Sequence, residues 1–218
     1  MNALLSIAGH ARASLPLDVL AALTLLALAP FILVMSTSFV RIVVVLSLVR
    51  SAIGAAALPP NSVLTGLALM LTIVLMMPTW NRVSHEALEP YASGRIRQAQ
   101  LIERASRPMR DFMLRQIHRQ DLDLFERVAH RPIERADSVP FFVLVPAFVV
   151  GELRAGFAIG FALYLPFVAI DLAVASILMG LGMFMLSPPV ISLPIKLLLF
   201  IMVDGWALVC GGLVTSFR

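Results

Sequence analysis

The sequence has little of what an enzyme or a disulfide-bonded protein would need. Its one cysteine, Cys210, cannot form an internal disulfide, and no cysteine cluster exists that could hold a metal. The four histidines do not occur in pairs at metal-ligand spacing, and no HExxH, GxSxG or P-loop pattern is present. We therefore expect no catalysis, no metal and no other cofactor.

Charge is scarce as well, and it is unevenly placed. Only 14% of the 218 residues are charged, whereas about a quarter are in typical soluble domains. Hydrophobic residues make up 60% of the chain and the mean hydropathy is +0.93, which favours a membrane protein or a membrane-derived complex. Arginines alternate with acidic residues between positions 81 and 137, and this mixing argues against binding to nucleic acid.

Most of the remaining chain consists of four apolar blocks. They extend over residues 15–35, 63–78, 139–186 and 190–217. The first is about long enough to cross a bilayer, and a retained helix is favoured over a cleaved signal peptide because its N-terminal flank carries only Arg12. We divide the chain into N-terminal hydrophobic helices (1–79), a polar, partly helical insertion (80–139) and C-terminal hydrophobic helices (140–218).

The polar insertion and the third block have their own helical signals. Apolar residues between Pro108 and Ala129 recur mostly at three- and four-residue steps, which predicts an amphipathic helix. Prolines 140, 146 and 166 interrupt the third block, so we expect an initial helix followed by a longer kinked one. The Ser187-Pro188-Pro189 turn predicts an antiparallel hairpin between the third and fourth blocks.

Arg41 and Arg50 bracket a short apolar run that cannot cross a bilayer alone. A helix that continues past the membrane boundary, or packs on a neighbour, accounts for it better. As loop charges, the two arginines indicate a cytoplasmic loop, which would place the polar insertion on the outer side. Pro59 and Pro60 end this helix, and Asn61 or Ser62 can cap the next one.

Five charges lie inside the C-terminal apolar blocks, where each needs a partner from another helix or another chain. They are Glu152, Arg154, Asp171, Lys196 and Asp204. A charge left facing lipid costs roughly 2.5–3.5 kcal/mol on insertion scales. Lys196 and Asp204 are about 12 Å apart along one helix, so they cannot pair with each other, and Asp171 is the economical partner for Lys196. For Asp171 three roles stay open: polar packing between helices, a proton relay, or pairing between subunits.

Met179, Met183, Phe184 and Met185 surround the predicted hairpin tip. Such residues are more often core filling, but at a loop tip flexible side chains also suit a deformable seal. Gly151, Gly156, Gly160, Gly180 and Gly182 are interpreted as sites of close helix contact rather than a nucleotide-binding loop.

Several strings together resemble one known family. They are Thr37–Arg50, Pro59-Pro60-Asn61, Leu165–Asp171, Gly182–Pro188, Ile191–Phe200 and Asp204-Gly205-Trp206. With them the chain resembles, from about residue 20 onward, the FliP/SctR family of export-gate subunits in bacterial flagellar and virulence-associated type III secretion systems. The pattern of Phe112–Gln116 and Asp121–Phe125 looks like the flagellar branch, which we favour, whereas the short N-terminus looks more like the injectisome branch.

The resemblance implies an all-α protein whose kinked helices and hairpins assemble into a multi-subunit ring. About five copies would join smaller FliQ/SctS-like and FliR/SctT-like subunits at the bacterial inner membrane, extending to its periplasmic side, and unfolded proteins would pass through the pore. By motif, Met183, Phe184 and Met185 would form the pore gasket. Phe184 departs from the three consecutive methionines usual in the family. From the residues alone, a secondary transporter using Asp171 as an ion or proton site is the alternative, and a membrane-bound enzyme would need paired ligands.

Overall fold

A computed structural model describes residues 19–20, 23–24, 27–28, 30–55, 58–129 and 139–217. The chain divides into two units, Met1–Met35 and Ser36–Arg218. The described residues of the first unit from 19 to 35 are helical and carry many exposed apolar side chains, such as Leu23 and Phe31. The expectation of a retained N-terminal helix over a signal peptide falls partly on residues 1–18, which lie outside the described residues.

The second unit is built from helices throughout its described part. They are α1 (Phe39–Ile53), α2 (Asn61–Val83), a π-helical turn (Ser84–Leu88), α3 (Glu89–Ala92), α4 (Gln98–Gln116), α5 (Arg119–Ala129), α6 (Phe141–Gly180), α7 (Pro188–Met202) and α8 (Gly205–Ser216). The all-α fold class is thereby confirmed for the described residues. The three-part division at 79/80 and 139/140 stays a prediction.

Among the described helices, two are long and apolar enough to cross a membrane. They are Asn61–Ala92 and Phe141–Gly180. The pair α7 and α8, bent by 63°, would make a third span if it is counted as one. This agrees with the membrane character expected from composition.

Helix α6 differs from the expected pair of helices, because it runs for 40 residues through Pro146 and Pro166 without interruption. Proline removes one backbone hydrogen bond but does not end a helix that neighbouring helices support. The support comes from α1, which has its most extensive contact with α6. An ideal Cβ at Gly156 would lie 3.2 Å from Val44, and one at Gly160 would lie 2.3 Å from Leu48, so these glycines allow the close approach.

Two apolar clusters hold the helices together. The first, around Ile42 and Leu46, joins α1 to α2, α6, α7 and α8. The second, around Met113 and Phe148, joins the polar insertion to α2 and α6. In the insertion the predicted amphipathic pattern is divided between α4 and α5, whose break lies at Ile117 and His118. The insertion is therefore docked on the apolar helices by its own apolar face.

The α1–α2 turn differs in detail from the expected capping. Residue Pro60 is the N-cap of α2 and Asn61 its first residue, and no side chain caps the helix. Instead the Asn61 carboxamide oxygen accepts a hydrogen bond from Arg50. The α1 helix itself ends at Gly54, whose φ of 83° is one that glycine adopts freely.

Candidate functional site

The loop between α6 and α7 is an exposed apolar tip, formed by residues 181–187. Met183 is 47% exposed, Phe184 79% and Met185 101%. Gly182, with φ of 73°, turns the chain, and the Met183 amide donates to the Leu178 carbonyl at 2.9 Å. No atom lies within 4 Å of an ideal Cβ at Gly180 or Gly182, so the close-contact interpretation does not hold for them within this chain. The described part of the chain therefore leaves much of these three large apolar side chains uncovered.

Behind the tip, Asp171 of α6 and Lys196 of α7 form an ion pair. Lys196 Nζ lies 2.6 Å from Asp171 Oδ2 and donates to the Ala52 carbonyl at 3.2 Å. The Ser192 hydroxyl donates to Asp171 Oδ1 at 2.5 Å. Asp171 is thus the partner of Lys196 that was expected from the sequence, and the pair connects α6, α7 and the end of α1.

Arg41 and Glu152 form a second, buried ion pair between α1 and α6. Arg41 Nη2 lies 2.5 Å from Glu152 Oε1, and Arg41 Nε donates to Oε2 at 3.1 Å. The same guanidinium donates to the Ser216 carbonyl at 3.0 Å and to Gln116 Oε1 at 3.2 Å, and it lies 3.9 Å from the centre of the Phe217 ring. One side chain thus joins α1, α4, α6 and the end of α8.

The interpretation of Arg41 and Arg50 as loop charges is corrected by these contacts. Both lie in α1, and Arg41 is only 4% exposed. Because Arg41 is held by a buried carboxylate, it does not indicate a side of the membrane as a free loop charge would. Arg41 therefore no longer supports an orientation of the chain in the membrane. The alternative expectation, a helix that packs on a neighbour, describes α1 correctly.

Arg154 pairs with the polar insertion. Its Nη2 lies 2.6 Å from Asp121 Oδ1, and Asp121 of α5 is completely buried. Neither Asp121 oxygen has an aligned hydrogen bond among the described residues, so the ion pair is the compensation for its burial. An ideal Cβ at Gly151 would lie 3.5 Å from Oδ2, at ordinary van der Waals contact, so this glycine lies beside the carboxylate without being required to make room for it. No sequence pattern indicated that Asp121 would be buried, because it is one of several acidic residues on a polar helix.

Asp204 lies apart from these pairs. It is exposed between α7 and α8, and no cation is within ion-pair distance of it in the part of the chain that the structure describes. The site residues therefore form three groups: an apolar tip with the Asp171–Lys196 pair behind it, two ion pairs that dock the insertion and the chain's end on α6, and a lone carboxylate at a bend.

Comparison with known proteins identifies the family. A model of the FliP family matches residues 22–213. The chain belongs to the FliP family.

Relatives in this family are similar over most of their length. The "Flagellar biosynthetic protein FliP" of Pectobacterium carotovorum is 50% identical over 94% of this chain and 80% of its own length. The protein of that name from Caulobacter vibrioides is 50% identical over 90% of this chain and 74% of its own. For the Bacillus subtilis protein the identity is 44% over 89% of both chains. The segment that matches the FliP family contains the tip, Asp204 and all three ion pairs, and ends before Ser216 and Phe217.

Proposed function

We propose that the chain is a structural and gating subunit of a flagellar type III protein export channel in the bacterial inner membrane. The observation that carries the proposal is the family membership, together with relatives of about 50% identity that are named flagellar biosynthetic proteins. The relatives' names favour the flagellar branch over the injectisome branch. The apolar helices are in keeping with a membrane location.

The tip formed by residues 181–187 is the proposed gate. Met183, Phe184 and Met185 together expose a large apolar surface on a loop that is fixed at both ends by long helices. Several copies arranged as a ring, about five by resemblance to the family, would bring these side chains to one axis. Flexible methionine side chains can close the pore when it is empty, and they can also adapt to a passing unfolded chain. FliQ/SctS-like and FliR/SctT-like subunits would complete the ring, and the polar insertion would lie on the periplasmic side.

The transporter alternative has no support from these observations. Asp171 is already engaged by Lys196 and Ser192, as expected for polar packing between helices. The relatives are named for flagellar biosynthesis rather than for ion transport. Energy for export would come from another part of the machine, and this chain would carry no catalysis.

To test the proposal, Met183 and Met185 are both replaced by glycine in cells that assemble the complete complex. The expected result is a complex of unchanged native mass whose membrane leaks small ions in the absence of export. Leu181→Gly, outside the three gasket positions but on the same loop, is the matched control. An assembled complex that stays tight with both methionines replaced would contradict the gasket, and a chain that never joins other membrane subunits would contradict the proposed function as a whole.

A further inference from the structure

Asp204 occupies an unusual backbone conformation at the bend between α7 and α8. Its φ of 50° and ψ of 54° are left-handed, and among the described residues no other non-glycine residue has a positive φ. Aspartate tolerates this conformation better than most residues, but asparagine and glycine do so too. Asparagine or glycine would therefore satisfy the backbone conformation equally well, so the conformation alone does not explain why a carboxylate stands at this position.

The carboxylate stands in an exposed apolar face, which we call the bend face. Around Asp204 it consists of Ile201 (73% exposed), Met202 (76%), Val203 (51%) and Leu208 (59%). Exposed apolar side chains clustered on both sides of the bend indicate a site of interaction with lipid or with protein. Against lipid the charge would be costly, and against protein it requires a counter-charge.

The counter-charge is not supplied by the described apolar helices of this chain. Lys196 is paired with Asp171, Arg41 with Glu152, and Arg154 with Asp121. Arg82, near the end of α2, is paired with Glu86 and Asp111. Arg50 is engaged in the α1–α2 turn, where it donates to the Pro59 carbonyl and to Asn61. Using Arg50 of a second copy would break that turn, so charge complementarity favours a cation from a different chain.

We propose that the bend face binds an apolar helix of a different subunit, and that this helix carries a lysine or arginine opposite Asp204. The apolar side chains would supply contact area, and the ion pair would fix the register and exclude helices without the cation, because an unpaired buried carboxylate is costly. The inference rests on the proposed function only in requiring that the chain works together with other membrane subunits.

The test separates charge from conformation at one position. Asp204→Asn and Asp204→Gly keep the left-handed backbone accessible and remove the charge, whereas Asp204→Glu keeps the charge with a greater backbone cost. Each variant is coexpressed with the FliQ/SctS-like and FliR/SctT-like subunits proposed as its partners, and the native mass and yield of the detergent-extracted complex are measured. We expect at least a tenfold loss of complex for Asp204→Asn and Asp204→Gly and a smaller loss for Asp204→Glu. Unchanged helicity and yield of each isolated variant show that it still folds.

Charge reversal then identifies the partner. Asp204→Lys is expected to abolish the complex, and selection for restored assembly is expected to yield a lysine or arginine changed to an acid in an apolar helix of another subunit. Restoration by Arg50→Glu in this chain would overturn the proposal in favour of contact between copies. Full assembly of Asp204→Asn and Asp204→Gly would overturn it as well, even if export were lost. If the unaltered chain forms no complex with these subunits, the proposed function fails instead.

Discussion

Arg41 and Glu152, 111 positions apart in the sequence, hold each other by two hydrogen bonds in a site that excludes water. The pair lies where α1, α4, α6 and the end of α8 meet, and Gln116 and Ser216 accept the remaining donors of the guanidinium. It matters that every N–H donor of the Arg41 guanidinium has an acceptor, because two charges removed from water are stable only when they are paired and hydrogen-bonded. The arrangement makes Arg41 the point at which the polar insertion and the chain's end are fastened to the apolar helices.

Removing one member of this pair is expected to destabilise the protein strongly. Glu152→Gln leaves a buried guanidinium without its counter-charge, a change that typically costs about 3–5 kcal/mol. Arg41→Lys should also be harmful, because an ammonium cannot reproduce the forked contact with the carboxylate and the bonds to Gln116 and Ser216. The measurement is the free energy of unfolding of the detergent-extracted chain.

A matched control for the buried pair is provided by Arg107 and Glu103, which form an ion pair on the exposed side of α4. Arg107→Gln should change the free energy of unfolding by less than about 1 kcal/mol, since exposed pairs contribute little. Replacing both Arg41 and Glu152 by methionine should cost less than either single change, because neither charge is then stranded. Equal costs for the buried and the exposed pair would show that Arg41 is not a point of attachment.

The pair formed by Asp171 and Lys196 is expected to respond asymmetrically. The side chain of Lys196 is 6% exposed and that of Asp171 34% exposed. Asp171→Ala therefore strands a buried ammonium that keeps only the Ala52 carbonyl, whereas Lys196→Met leaves a less buried carboxylate that keeps its hydrogen bond from Ser192. Unfolding measurements should give the larger loss for Asp171→Ala, and the opposite order would mean that the carboxylate, not the ammonium, is the more desolvated charge of the pair.

An ion pair could be predicted from the sequence only where the spacing of residues along the chain limits the possible partners of a charged side chain. Lys196 could be assigned to Asp171 because a hairpin brings their helices together and Asp204 is too far along the same helix. The tie between Arg41 and Glu152 could not be predicted, since no local pattern relates α1 to α6. The burial of Asp121 was missed for the same reason: on its own helix it looks like a solvated acid, and only the docking of the insertion buries it. The continuous helix through Pro146 and Pro166 depends on support from α1, which the sequence of α6 does not contain.

The close contact between α1 and α6 predicts that Gly160 tolerates no side chain. An added Cβ would lie 2.3 Å from Leu48 Cδ1 and 2.9 Å from Leu48 Cβ. Gly160→Ala should therefore lower the free energy of unfolding by about 1–3 kcal/mol, in the range of overpacked cores. Gly66→Ala in α2 is the control, because no atom lies within 4 Å of its Cβ position and alanine favours a helix by up to about 1 kcal/mol. Combining Gly160→Ala with Leu48→Ala should recover part of the loss, and a lack of any recovery would contradict the contact.

The bend between α7 and α8 gives a related prediction with a different physical origin. A Cβ at Gly205 would lie 2.3 Å from two atoms of the Phe200 ring. That ring cannot move aside easily, because it packs edge-on against Trp206 with centroids 5.2 Å apart and contacts Phe167 as well. We expect Gly205→Ala to reduce the free energy of unfolding and to change the angle between the two helices, measured as a distance between spin labels at Leu198 and Val214.

Helix α8 supplies its own controls for this change. Gly211→Ala and Gly212→Ala meet no atom within 4 Å, so they should leave the label distance nearly unaltered and, like Gly66→Ala, raise the free energy of unfolding by up to about 1 kcal/mol. Phe200→Ala opens a cavity and is costly alone, but with Gly205→Ala the two losses should sum to less than their separate values, because the substitution removes the ring that clashes. Additive losses would contradict the clash with the Phe200 ring as the reason that position 205 requires glycine.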